Sequence, residues 1–97
     1  MKYLFLFLCL LGSLFSISQN KYTLSGYIKD SLSGETMIGA SVSFNVKGVT
    51  SNQYGFYSIT LPKGSYQVIA SFAGYTPQQI SINLDSSFQL NFQLLQR

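Results

Sequence analysis

Between Tyr22 and Leu94 the apolar residues of this chain recur at every second position, in short runs separated by glycine, serine, asparagine and aspartate. Leu24, Gly26 and Ile28 alternate with Ser25, Tyr27 and Lys29; Val42, Phe44 and Val46 alternate with Ser41, Ser43 and Asn45. Tyr66, Val68, Ala70 and Phe72 repeat the pattern, as do Ile80, Ile82 and Leu84, and then Phe88, Leu90, Phe92 and Leu94. A period of two sends one face of each run into a core and the other into solvent, which a strand can do and a helix cannot. Seven strands are predicted: Tyr22 to Lys29, a run from Ser41, a short piece at Val49-Thr50, Phe56 to Leu61, Ser65 to Phe72, Ile80 to Leu84, and one last strand over Phe88 to Leu94. Each needs a second sheet to cover its apolar face, so the expected fold is an all-β, seven-stranded antiparallel sandwich with Phe72 on the core side.

The breaks between runs are rich in turn formers. Asp30 to Glu35, Ser51 to Gly55 and Ala73 to Pro77 read as loops. Pro62-Lys63-Gly64 reads as a tight turn joining two strands, since proline presets φ and glycine tolerates φ > 0. Gly26, Gly39, Gly55, Pro62, Gly64, Gly74 and Tyr75 are the expected structural turn residues. The opposite strand faces carry Ser, Thr, Asn and Gln in place of charge, a weak guard against edge-to-edge pairing.

The N-terminus follows a different rule. Lys2 precedes the unbroken apolar run Tyr3 to Leu11, and Ser16-Ile17-Ser18 ends the segment in small residues. That is the pattern of a cleavable signal peptide. Residues 1–18 are predicted to be removed, leaving a single domain over 19–97 that is exported and has no transmembrane segment. A membrane anchor would need about 20 apolar residues, more than this run supplies. The lone cysteine, Cys9, lies inside the apolar run, so removal of the segment leaves no thiol and no disulfide. The net charge falls from +3 to +2 with the loss of Lys2. Scattered lysines at this charge make no nucleic-acid footprint.

Few residues remain that could do chemistry. The chain has no histidine, and its only acids are Asp30, Glu35 and Asp85. No serine has an imidazole to activate it. Asp30 and Glu35 share one loop and read as solvated turn residues, because calcium would want more carboxylates on that loop. The glycines lead into no helix and make no phosphate cradle. Tyr54, Tyr57 and Tyr75 are candidates for an aromatic sugar platform, although core or cross-strand roles are the commoner use. No catalytic residue, metal ligand or cofactor is expected.

The order of the motifs carries more than any one of them. "SGYIKDSLSGETMIGASVSF", "GVTSNQYGFYSITLPKGSYQVIASFAGY" and "ISINLDSSFQLNFQL" together resemble the carboxypeptidase regulatory-like domain family from about Tyr22 to Leu95. The resemblance implies a seven-stranded Greek-key sandwich of transthyretin (prealbumin) type with no catalysis of its own. Asn52-Gln53-Tyr54 stands where members of that family often carry an acidic residue, so no cation role is carried over to that turn. Placed directly after a signal peptide, such a domain is similar to the N-terminal extension of Bacteroidetes-type TonB-dependent outer-membrane receptors. The implied role is a periplasmic accessory or interaction domain, with protein partners or the rest of a receptor chain, on a chain expected to be a fragment lacking plug and barrel. The alternative is a free-standing secreted or cell-surface module binding glycan or protein.

Overall fold

The computed structural model describes residues 20–45 and 47–97. The signal peptide expected over 1–18, and the placement of Val46 on a strand face, lie outside the described residues.

Nine strands and no helix are found among the described residues. They are β1 (Lys21–Asp30), β2 (Ser41–Phe44), β3 (Lys47–Thr50), β4 (Phe56–Pro62), β5 (Gly64–Ser71), β6 (Tyr75–Thr76), β7 (Gln78–Leu84), β8 (Phe88–Gln89) and β9 (Phe92–Gln96). One sheet runs β4-β1-β9-β6, with β8 also on β1; the other runs β3-β2-β5-β7. The all-β sandwich is as the alternation implies.

The count of seven and the purely antiparallel pairing are corrected. Tyr75-Thr76 pairs with Leu95 and Gln96 in place of the expected loop, since two residues are too few to show a period. The last strand is divided in two at Leu90-Asn91. Both halves run parallel to β1, with Leu24 opposite Phe88 and Ile28 opposite Phe92. Alternation fixes which face a residue occupies but not the direction of its neighbour.

The core lies between the sheets. Leu24, Ile28, Tyr57, Leu61, Phe92 and Leu94 from one sheet meet Val42, Phe44, Val68, Ala70 and Leu84 from the other. Met37 and Ala40 close the end between β1 and β2. Tyr57 sits centrally, its ring 6.4 Å from Phe44 and 6.0 Å from Phe92. Each fully buried large apolar side chain contributes about 1.5–3 kcal/mol, and burial of this kind takes the place that disulfides hold in many small domains. Phe72 is corrected from core to rim: it is half-buried at the sandwich end, edge-on to Tyr75 at 5.8 Å. Ile80 faces inward by period, yet remains 38% exposed.

Pro62-Lys63-Gly64 is not a hairpin. β4 belongs to one sheet and β5 to the other, so these residues carry the chain across the sandwich. Gly64 takes no positive φ, and it pairs with Leu84 inside a strand. Lys63 anchors the crossing by donating its N–H to the Asn20 carbonyl at 2.9 Å.

Candidate functional site

Because β1 and β9 are parallel, both finish at one end of the sandwich, where β4 and β6 begin. The loops 31–40, 51–55 and 72–74 collect at this end, together with Arg97. Lys21, Lys47, Lys63 and Asp85 lie at the other end, on strand starts and connections. The loop-bearing end holds the molecule's best-organised polar cluster.

Asp30 closes β1 and organises the loop after it. Its Oδ1 accepts the N–H groups of Leu32 at 2.8 Å and Ser33 at 3.0 Å, while its carbonyl accepts Gly34 N–H at 2.9 Å. This is an Asx turn, the structure that a short carboxylate at a strand end favours. Its Oδ2 accepts the Tyr75 hydroxyl at 2.6 Å. That bond first, and the two amides after it, hold the Asp30 carboxyl well below its usual value, at about 2. The same bond raises the Tyr75 phenol above its ordinary range. Asp30 is therefore an ionised positioning group and not the free turn residue expected from sequence. Glu35 is exposed and shares a shallow groove with Asp30, Thr36, Met37, Ile38, Phe72 and Tyr75.

Ser51 fixes the neighbouring loop. It is the buried polar residue of the described chain, donating to the Met37 carbonyl at 2.5 Å and accepting Ala40 N–H at 2.9 Å. Asn52 builds a second Asx turn, accepting Tyr54 N–H at 2.9 Å and Phe56 N–H at 3.1 Å. Gly55 completes it at φ 75°. A side chain there would come 2.6 Å from the Thr36 Cβ, so both backbone angle and space demand glycine.

The other expected turn residues divide. Gly39 and Gly74 take positive φ in loops, as turn glycines do. Gly26 lies within β1, on the strand where the alternation put it, and is not a turn residue; a Cβ there would fall 2.6 Å from the Leu90 carbonyl carbon. Pro62 ends β4 and Tyr75 opens β6, so neither is a turn residue. The three-tyrosine platform is not formed. Tyr57 is buried, Tyr75 is bonded to Asp30 and only Tyr54 stands out in solvent. Asp30, Tyr75, Ser51 and the Asn52 side-chain oxygen are structural, each already engaged in the bonds given above.

The end also presents large apolar side chains to solvent, beside the exposed Glu35 and Arg97. Leu32 is 82% exposed, Ile38 61% and Tyr54 65%, each on a loop pinned by the bonds above. None of the three is among the structural residues expected from sequence. Sequence held a signal for them: each is a large apolar residue inside a turn-rich stretch, off the alternating pattern. Among the described residues no group of three or more acids, histidines or cysteines could hold a metal ion. No described helix is long and apolar enough to cross a membrane.

The profile of the CarboxypepD_reg-like domain family matches residues 24–97. The chain is 35% identical over 68 residues to structural protein 27 of a virus (isolate Australia/Victoria), an alignment spanning 70% of this chain and 13% of that protein. Its fold is similar to that of a candidate membrane-associated protein of unknown function from Bacteroides fragilis, with a TM-score of 0.63 and 22% identity over 82% of this chain and 29% of that one. It is also similar to Klebsiella pneumoniae 5-hydroxyisourate hydrolase, a transthyretin-like protein, with a TM-score of 0.61 and 24% identity over 77% of this chain and 85% of that one. The chain thus spans less than a third of the viral and Bacteroides proteins. A match that begins in β1 and runs through β9, on a sandwich of this topology, makes the chain a member of the CarboxypepD_reg-like domain family.

Proposed function

We propose that this chain is a non-catalytic interaction domain, exported to the periplasm, that serves as the N-terminal accessory module of a TonB-dependent outer-membrane receptor. The observation that carries an interaction role is the rim of Leu32, Ile38 and Tyr54, held out by rigid loops at one end of the sandwich. Exposed apolar groups on pinned loops suit a protein surface better than a reaction centre. Family membership supports the accessory role, and the signal-like N-terminus supports export. The likeness to a hydrolase is one of fold alone; the chain has no histidine, so no serine has an imidazole to activate it.

The reading is tested by placing a photo-activatable residue at Ile38 in the native host and fractionating the cells. The expected result is a periplasmic or outer-membrane location, with a cross-linked adduct to a β-barrel receptor or to a protein bound to one. A cytoplasmic location, or hydrolysis of a substrate by the purified chain, would overturn it.

A further inference from the structure

The strand β7 (Gln78–Leu84) forms one edge of the four-stranded sheet, and its outer side meets no other strand among the described residues. Edge strands in soluble proteins are usually shielded by charge, proline, a bulge or brevity. The other three edges have such a device: β3 carries Lys47, β4 ends in Pro62 and β6 has two residues. In contrast, β7 has seven residues, no charge and no proline, and it pairs without a break from Ala70–Gln78 to Gly64–Leu84. It is a ready template for another strand.

The strand's sequence says which one. Gln79-Ile80-Ser81-Ile82-Asn83 reads nearly the same in both directions. A two-fold axis through Ser81 would set an antiparallel copy with Ser81 opposite Ser81, Ile80 opposite Ile82 and Gln79 opposite Asn83. Such an interface is isologous and demands self-complementarity, which this pentapeptide has. Gln79, Ser81 and Asn83 are exposed on the outer face, so amides would meet amides there. Ile80 and Ile82 lie on the inner face, where the 38% exposure of Ile80 shows an apolar side chain incompletely covered within one chain. A second copy brings its Ile82 to that position. Cross-strand pairs of this kind are the unit of sheet stabilisation.

We infer that the partner of β7 is the β7 of a second copy, and that the chain forms a two-fold dimer with one continuous eight-stranded sheet. The inference stands apart from any receptor role, because it needs nothing from the loop rim.

Sedimentation equilibrium of the purified full chain tests it. A dimer in the micromolar range is expected. Ser81→Lys puts two like charges at the axis and should weaken association about tenfold or more, and so should Ser81→Glu; mixing the two variants should restore the dimer. Gln79→Lys with Asn83→Glu sets opposite charges across the pair and should keep the dimer, whereas Gln79→Lys with Asn83→Lys should break it. Gln79, Ser81 and Asn83 all face solvent in the single chain, and circular dichroism checks that each variant is folded. A monomer at every concentration would overturn the inference. So would an association indifferent to these charges, which would place the contact elsewhere.

Discussion

Both carboxylate oxygens of Asp30 are occupied, one by two amides and the other by the Tyr75 hydroxyl. All three bonds favour the charged form, which is why its pKa falls from 3.8 to about 2. The sign of the pH dependence follows. A depressed carboxyl stabilises the fold above its unfolded pKa, and that stability is lost as pH falls from about 4 towards about 2. Tyr75→Phe removes the largest contributor, so the variant should be less stable at pH 7 and should lose less between pH 5 and 2. Thermal melts across that range measure both. Parallel acid limbs for the two proteins would mean that the Tyr75 bond does not set the Asp30 pKa. Gly55 offers a different test at the same scale. Gly55→Ala should cost about 2–4 kcal/mol, from a left-handed backbone and crowding against Thr36 together. Gly39→Ala, with the same φ of 75° and no atom within 4 Å of the added carbon, should cost only about 1 kcal/mol. Urea midpoints of the two variants would separate space from backbone strain. Gly55 was legible in the sequence as a turn glycine, and its need for space was not, because Thr36 is distant along the chain.

At the scale of the strand, the division of β8 from β9 has a cause that alternation conceals. Phe88, Leu90, Phe92 and Leu94 keep perfect period through Leu90-Asn91, so the sequence pattern runs straight across the break. The backbone does not. Leu90 donates its N–H to the Ser25 carbonyl at 2.7 Å, but its own carbonyl takes the Tyr57 hydroxyl at 2.5 Å. The Tyr27 N–H opposite is satisfied by the Asn91 side chain at 2.9 Å. This arrangement brings the Leu90 carbonyl over β1 where only Gly26 leaves room. Three residues far apart in sequence thus make one device: a bare backbone, a displaced carbonyl and a buried phenol. Burial also pushes the Tyr57 phenol far above its ordinary pKa, so it remains a donor through the neutral range. Tyr57→Phe keeps the ring and strands the carbonyl. The expected loss is about 1–3 kcal/mol in chemical denaturation, the cost of an unpaired buried acceptor. An unchanged midpoint would show that water replaces the hydroxyl. The strands themselves were readable because one buried face writes a period into the sequence. Their partners, their directions and the crossing at Pro62-Lys63-Gly64 were not, because period says nothing about which sheet a strand joins.

For the whole molecule, the parallel course of β1 and β9 decides the geometry of use. The described chain enters β1 at the lysine-bearing end and leaves β9 at Arg97, at the end where Leu32, Ile38 and Tyr54 are exposed. A partner engaging that end meets apolar side chains flanked by Glu35, Arg97 and neutral polar groups, with the Asp30 oxygens already taken up by Tyr75 and two amides. Contact there should depend on buried area more than on ion pairs. Two consequences follow for the triple variant Leu32→Ser, Ile38→Ser, Tyr54→Ser. Its stability should change little, within about 0.5 kcal/mol per site, because each side chain is mostly in water already. Its capture of the partner cross-linked through Ile38 in the unaltered loops should be lost, as judged by co-purification from outer-membrane extracts. The unaltered chain should bind that partner nearly equally at low and moderate salt, where a contact built on exposed charges would weaken. Binding that survives the triple variant, or that disappears as salt rises, would move the contact off this rim and towards the lysines of the opposite end.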